Sequence, residues 1–394
     1  MRAQRPNGLV TLLMPAAVVA FTAAAFLLVG GGRAFASHVN CGDTITADTT
    51  LDSDLEDCPN HGVVIGAAGV TLDLNGHRIA GDGTPAAGCN LQVELCDVGV
   101  LNEGFNGVTV EHGSVRRFAF GGFTVGVRKN RVLDIGSTRH VLFGWVMADS
   151  TRSVIRGGAF RRNIAPEGDG LGLFGCDHVR VRNNAIRRNP GPGIHLQDSD
   201  HNLVRGNVFS RNSPAIRVGG DERPTLVESN RNRIRRNQIT RGGGIAVAPG
   251  NRNVIANNRV SQAVDSIAIE KGHGNRVTRN RVAHARGAGI RLAIRQPPIG
   301  GVRTVVLRNR VRASGEDGFV VNEKERHSLL KRNVALRSGD DGFDIVSDRV
   351  RLARNRAVRN ADLGIEAAPG AIDGGGNVAR ENGDPLQCTN IPCS

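Results

Sequence analysis

Residues Asp317–Ala367 read DGFVVNEKERHSLLKRNVALRSGDDGFDIVSDRVRLARNRAVRNADLGIEA. A short apolar unit recurs three times within them: Gly318-Phe319-Val320-Val321, Gly342-Phe343-Asp344-Ile345 and Gly364-Ile365-Glu366-Ala367, at intervals of 24 and 22 residues. Between the copies sits a second unit that ends in asparagine, Leu330-Lys331-Arg332-Asn333 and then Leu352-Ala353-Arg354-Asn355. Strand-type alternation at a fixed period of this length means one coil per repeat. The chain is therefore a solenoid and not a packed globule.

Working outward, the first unit opens at Gly170, Gly193, Ala215, Gly244, Ser266, Gly289, Gly318, Gly342 and Gly364, with spacings of 23, 22, 29, 22, 23, 29, 24 and 22. The second marker falls at Asn184, Asn207, Asn237, Asn258, Asn280, Asn309, Asn333, Asn355 and Asn377 and keeps the same rhythm. A coil of ~22 residues stacks parallel on its neighbours at ~4.8 Å, so Val63 to Asn382 has room for about thirteen coils in a rod roughly 60 Å long. Inward Ile, Val and Leu form an apolar column, and the asparagines stack as a structural column whose amides satisfy backbone groups at a corner. Two coils are lengthened, by DERPTLVESN (221–230) and by IRQPPIGGVR (294–303). Each insertion follows the first strand of its coil, so both are expected to emerge on one side and wall a groove.

Composition agrees with many short strands and tight corners: among 394 residues there are 52 Gly, 13 Phe, one Trp and no Tyr. Residues 1–36 read as an export signal, with Arg2 and Arg5 at the start, an apolar run and an Ala34-Phe35-Ala36 cleavage site. The rival is an uncleaved anchor, since the run is long enough to span a bilayer; Pro15 and the A-x-A site favour cleavage before Ser37. No later run could span, so after cleavage no integral membrane segment is expected. Loss of that segment lowers the formal net charge from +14 to +11. A basic exported chain implies an anionic partner such as a polyuronate, a wall polymer or a nucleic acid. Biased codon usage is the alternative source of the charge, with four Lys against 47 Arg.

Seven cysteines suit an exported protein. Close spacing pairs Cys41 with Cys58, Cys89 with Cys96 and Cys388 with Cys393, and leaves Cys176 as a buried core thiol. The acidic segment 37–62 reads as an N-terminal cap, 63–382 as the solenoid, and 383–394 as a C-terminal disulfide tail.

The opening LDLNGHRIAG (72–81), the repeated N-x-[IV] and G-I-x-[IVL] units and the signal segment resemble the right-handed parallel β-helix repeat proteins. That pectate-lyase-like superfamily includes secreted bacterial repeat proteins, pectate lyases, mannuronan epimerases and the periplasmic accessory protein of nitrous-oxide reductase. The resemblance implies an all-β right-handed parallel β-helix over nearly all of the mature chain. It implies little about activity, because one scaffold hosts lyases, hydrolases, epimerases and inert rods.

In the G-I-x-V unit the third residue points outward, giving a column of His195, Arg217, Ala246, Ala268, Arg291, Val320, Asp344 and Glu366. The last three coils gather Glu316, Asp317, Asp340, Asp341, Asp344, Asp362 and Glu366. Carboxylates stacked at ~4.8 Å repel by roughly 1 kcal/mol per pair in water, and more when partly desolvated. Calcium, which takes several oxygen ligands, is the simplest reason to concentrate them, and Glu316, Asp317, Asp340, Asp341, Asp344 and Asp362 are its candidate ligands. The competing explanation is that D-G and D-D-G are turn formers.

Asp340-Asp341-Gly342-Phe343-Asp344 also resembles the DDGxD segment of a calcium-dependent pectate lyase family, with Glu316 at the equivalent position one repeat earlier. That resemblance implies a calcium-held uronate and β-elimination by a Lys or Arg base, for which Lys324 and Arg291 are the candidates. Gly272-His273-Gly274 lies only eight residues after Asp265 and lacks the context of a polygalacturonase site. The DPH segment of a mannuronan epimerase is absent. Arg236, Arg279, Arg308, Arg332 and Arg354 precede the repeated Asn, and Arg259, Arg281, Arg310 and Arg356 follow it, forming outward columns suited to a polyanion. Nucleic acid is disfavoured as partner by the shortage of stacking aromatics.

Two readings stand. One is a secreted or envelope-located, calcium-dependent polysaccharide lyase or related carbohydrate-active enzyme acting on acidic glycans. The other is a monomeric non-catalytic β-helix that binds anionic wall polymer or serves as an accessory or adhesion module.

Overall fold

The computed structural model describes residues 36–85, 88–89, 95–166, 168–222, 225–292 and 300–394. The export signal expected over residues 1–36 lies almost wholly outside them. Every regular element among the described residues is a strand. Fourteen strands, from Asp43–Ile45 to Ile365–Ala367, stack into one parallel sheet, and a larger 27-stranded sheet takes two further strands from most coils. A representative coil runs Ile194–Gln197, Leu203–Arg205 and Val208–Asn212. There are fourteen coils where the repeat spacing suggested about thirteen, because the acidic segment already makes a strand at Asp43–Ile45 that pairs with Val63–Ile65. Coils are numbered below by these fourteen strands.

The sequence markers map onto this geometry directly. Ile194, Ile216, Ile245, Ile267, Ile290, Phe319, Phe343 and Ile365 fill the bore and are at most 1 % exposed. Where aromatics occupy successive rungs they stack, with the Phe319 and Phe343 rings 4.6 Å apart and 6° from parallel. The small residue before each rung is required by close approach. A Cβ on Gly342 would come 2.5 Å from the Gly364 carbonyl oxygen and 2.6 Å from Asn360 Nδ2.

At the corner between the two strands of the larger sheet, nine asparagines from Asn184 to Asn377 form one continuous buried ladder. Asn258 is a typical rung. Its Oδ1 accepts the Asn237 backbone N–H at 3.0 Å and Asn237 Nδ2 at 3.1 Å, while its Nδ2 donates to the Ile234 carbonyl at 2.9 Å and to Asn280 Oδ1 at 3.0 Å. The other two corners carry shorter ladders that periodicity did not reveal. One runs Asn202, Asn232, Asn253 and Asn275. The other comprises His140, Asn163, Asn189 and Asn212, and later Ser338, Asn360 and Asn382. The residue before a rung turns the chain with positive φ, as at Arg188 (57°), Arg236 (56°) and Arg252 (54°).

All three expected disulfides form, Cys41–Cys58, Cys89–Cys96 and Cys388–Cys393, the first and last near the ends of the rod. The first lengthened coil projects an antiparallel hairpin, Gly220–Glu222 with Thr225–Val227. The second insertion, with residues 293–299, lies largely outside the described residues, and so does the groove the two were expected to wall.

Two predictions follow from the ladders. Asn258→Ala strands the Asn237 N–H and the Ile234 carbonyl in a dry corner, so it should cost about 2–4 kcal/mol in urea unfolding. Arg259→Ala, exposed and one position on, should cost less than about 0.5 kcal/mol. His140 is a neutral rung: its Nε2–H donates to the Val115 carbonyl at 3.2 Å and its Nδ1 accepts the Phe118 N–H at 3.4 Å. Burial pushes its pKa down to about 3, against the opposing pull of those two bonds. The unfolded chain takes up a proton near pH 6.5 that the folded chain refuses, so stability falls by ~1.4 kcal/mol per unit as pH drops below that value. His140→Asn, which matches the neighbouring rungs, should remove this component. The variant's stability relative to the parent should then rise between about pH 6.5 and 4 in acid-titration melts.

Candidate functional site

The coil geometry delivers the outward column as the sequence implied. His195, Arg217, Ala246, Ala268, Arg291, Val320, Asp344 and Glu366 stand in register on adjacent strands of the fourteen-stranded sheet. Acids gather at the corner that leads into this sheet. Glu316-Asp317 precede the strand Phe319–Val321, Asp340-Asp341 precede Phe343–Ile345, and Asp362 precedes Ile365–Ala367.

Three of these carboxylates converge. Asp317, Asp340 and Asp341 each bring one oxygen within 4.8 Å of the others. Asp317 and Asp341 are buried while Asp340 is exposed. The buried pair also serves the fold, because the Asp341 N–H donates to Asp317 Oδ1 at 3.0 Å and the Leu363 N–H to Asp341 Oδ1 at 2.7 Å. The aspartate pair thus adds side-chain-to-backbone bonds beside the Ser338, Asn360 and Asn382 rungs of the same corner. Burial pushes the Asp341 carboxyl up to about 8, with the Leu363 amide opposing and Glu366, Asp317 and Asp340 reinforcing the rise. The cluster is short of positive charge, and its donor set is entirely oxygen.

The other expected ligands stand apart from this trio. Glu316 turns to Arg291, whose Nη2 lies 3.4 Å from it and 3.5 Å from Asp265. Asp344 sits on the strand face in register with Glu366, and Asp362 is exposed one coil on. The two candidate bases separate as well. Arg291 is brought to the acid corner, clamped between two carboxylates. Lys324 follows its strand where the acids precede theirs, on the opposite corner, and its Nζ is 3.6 Å from Glu323.

The arginine columns at the asparagine corner are present. Arg236, Arg279, Arg308, Arg332 and Arg354 all adopt positive φ, and Arg259, Arg281 and Arg310 are in register on successive coils. Two arrangements escaped sequence reasoning. Phe120, Phe143, Phe174 and His195 pave the outer face of coils four to seven, with the Phe120 and Phe143 rings parallel at 6.0 Å and Phe174 edge-on to His195 at 5.6 Å. His195 Nδ1 lies 3.4 Å from the buried Asp169. The recurrence of phenylalanine in three successive strands, Phe120–Val125, Phe143–Ala148 and Asp169–Phe174, was the available signal. At the next corner the His178 and His201 rings stack 5.0 Å apart, each with Nδ1 3.1 Å from Asp177 Oδ1.

Cys176 is no nucleophile. It is buried, burial pushes its thiol up to about 12, and its Sγ lies 3.2 Å from the Met147 carbonyl oxygen. Iodoacetamide should leave it unlabelled in the folded protein and label it once on unfolding, as read by intact mass.

A family model described as "Right handed beta helix region" matches residues 46–230 and 169–297. No curated protein matches the chain. Among solved structures, the tailspike of E. coli bacteriophage HK620, in complex with a pentasaccharide, superposes with a TM-score of 0.54 at 12% identity over 89% of this chain and 73% of that one. PfbA, a surface adhesin of Streptococcus pneumoniae, gives 0.51 at 10% identity over 82% and 84%. The periplasmic alginate epimerase AlgG gives 0.51 at 15% identity over 76% of each chain. At these identities the likeness concerns the fold.

Proposed function

The chain belongs to the right-handed β-helix family, and from that premise we propose that it binds an acidic polysaccharide outside the cell or in the cell envelope. The grip on a uronate carboxylate would be at the corner where Asp317, Asp340 and Asp341 meet. The observation that carries this reading is the convergence of three carboxylates from two successive coils in an otherwise basic protein. The protonation favoured at Asp341 marks a site that a cation would neutralise. An all-oxygen donor set suits calcium. Asp317, Asp340 and Asp341 would hold it, and its Lewis acidity would supply the pull on a uronate carboxylate.

Three further facts support the reading. Disulfides fit an oxidising, extracytoplasmic compartment. The formal charge of +14 favours an anionic partner. The structures of similar fold include a saccharide-bound tailspike, a surface adhesin and an alginate epimerase. No helix among the described residues is long and apolar enough to cross a membrane.

Binding without bond cleavage is favoured by the state of the two candidate bases. Lys324 belongs to the other corner, and the Arg291 guanidinium is committed to Asp265 and Glu316. The lyase reading keeps one specific support, since Arg291 sits beside Glu316 at the acid corner. In that reading Arg291 would take the proton next to the uronate carboxylate as the glycosidic bond breaks.

Calcium titrated into the protein should show one saturable site by calorimetry. Asp340→Asn, at an exposed position that spares the buried ladder, should weaken it by about 10- to 100-fold. Absence of binding at millimolar calcium would sink the metal-supported site. With polygalacturonate and calcium present, an ultraviolet signal of unsaturated product that vanishes in Arg291→Ala would establish the lyase; unchanged absorbance with retained binding would establish the non-catalytic reading.

A further inference from the structure

A second column of charge runs along the corner that carries the acid cluster, nearer the N-terminus. In six consecutive coils, three to eight, the residue that turns this corner is arginine: Arg117, Arg139, Arg162, Arg188, Arg211 and Arg241, with φ between 56° and 61°. Hydrogen bonding and strand register align them coil on coil, as in Arg162 N–H to the Arg187 carbonyl at 3.2 Å and Asn212 opposite Gly242. Arg116, Arg161 and Arg187 flank them on the adjoining strands.

Backbone geometry does not ask for arginine here. A left-handed turn residue is best served by glycine or asparagine, and the neighbouring corner mixes Asn183, Gly206 and Asn257 with five arginines for the same task, where this one has arginine in six coils without a break. Guanidinium groups stacked at the ~4.8 Å coil repeat repel one another. The protein neutralises only the first coil of the column, where Arg116 and Arg117 pair with Glu56 and Asp57 at 3.3 and 2.8 Å. From Arg139 to Arg241 no carboxylate among the described residues comes within ion-pair distance of the column. Arg241 Nε donates instead to Gln262 at 3.0 Å.

These side chains enclose a real groove. Arg161, Arg162, Arg187, Arg188, Arg211 and Arg241 line a cavity of 350 Å³. Arg211 and Arg241 are shared with an adjoining cavity of 630 Å³ that continues to His284 and Arg286. The groove therefore follows the rod axis toward the acid corner, and Arg241 and Asp340 are four coils, roughly 20 Å, apart along it.

We propose that this groove binds the carboxylate-bearing backbone of a linear acidic polysaccharide laid along the solenoid axis, with arginines as direct partners of successive sugars. This rests on the acidic-glycan reading above and names a second, metal-independent contact surface for it. A uronan carries one carboxylate per sugar ring, a repeat of the same order as one coil. Phosphates of a B-DNA strand wind around the duplex axis and present no straight row to a column of this kind. The single Trp, Trp145, is buried, and neither cavity has an aromatic wall other than His284 for base stacking.

The test measures polygalacturonate oligomers binding to the whole protein in EDTA, which removes the calcium contribution, at low salt and at ~0.15 M salt. The groove variant is Arg188→Gln/Arg211→Gln/Arg241→Gln; glutamine already occupies the next turn position at Gln262. The charge-matched control is Arg152→Gln/Arg252→Gln/Arg303→Gln, exposed turn residues on the corner of the Asn202 ladder, and equal melting midpoints establish that both variants are folded. Salt-sensitive binding that drops about 10- to 100-fold in the groove variant and less than about 3-fold in the control supports the proposal. Equal losses in both variants would reduce the effect to net charge and overturn it. Binding only with calcium, untouched by the groove variant, would also overturn it and leave the acid-corner reading standing. Loss of calcium binding at the acid corner with groove binding intact would do the reverse. Equal or tighter binding of single-stranded oligo-dT would overturn the glycan assignment. A parent dimer that dissociates in the groove variant, seen by sedimentation without polymer, would make the groove a contact between copies.

Discussion

Every coil of this rod must turn three times without leaving buried amides unpaired, and the asparagine ladders are the solution to that constraint. A buried N–H without a partner costs on the order of 1–3 kcal/mol. Each asparagine rung removes such a group and adds a side-chain bond to the next rung, as Asn237, Asn258 and Asn280 do in series. The pitch of the solenoid and the phase of every strand depend on these bonds. Apolar stacking in the bore is strong but non-directional, so the ladders are what select the register.

Holding the inward positions leaves the outward ones free to form straight columns. A globular fold scatters surface residues, but a parallel solenoid places residue after residue of one phase along a line. Charge placed at one phase accumulates into a ridge, and such a ridge matches a linear polymer better than a compact ligand. One corner carries both signs in sequence, arginines over coils three to eight and the Asp317, Asp340 and Asp341 cluster near the C-terminal end. Asp317 and Asp341 are ladder rungs as well as charges, so two of the side chains that close the corner also help assemble the candidate cation site.

Much of this was legible because it repeats. The Gly-Ile-x-Val unit and the nine-rung asparagine column keep one period, and close cysteine spacing sufficed for the three bridges. The two shorter ladders were not legible, because their rungs vary among Asn, Ser and His and their loops vary in length. His140 shows why: only its surroundings reveal a neutral imidazole doing the work of an amide. The six candidate calcium ligands looked equivalent in sequence, yet Glu316 is drawn to Arg291 while Asp317 and Asp341 are buried by their ladder bonds. Lys324 and Arg291 looked interchangeable, and strand direction separates them to opposite corners.

Sequence by itself determined the class of fold, the position of the bore and the direction each repeat residue faces, because period and alternation are properties of a single strand of text. Tertiary structure decided which charges meet. Asparagine-ladder contacts across coils join residues 21 to 30 positions apart, as at Asn237–Asn258 and Asn202–Asn232, and insertions change that offset from coil to coil. Stacking restores the offset in space. Arginines that look scattered along the chain are thereby brought into one groove, and three aspartates of two coils into one cluster.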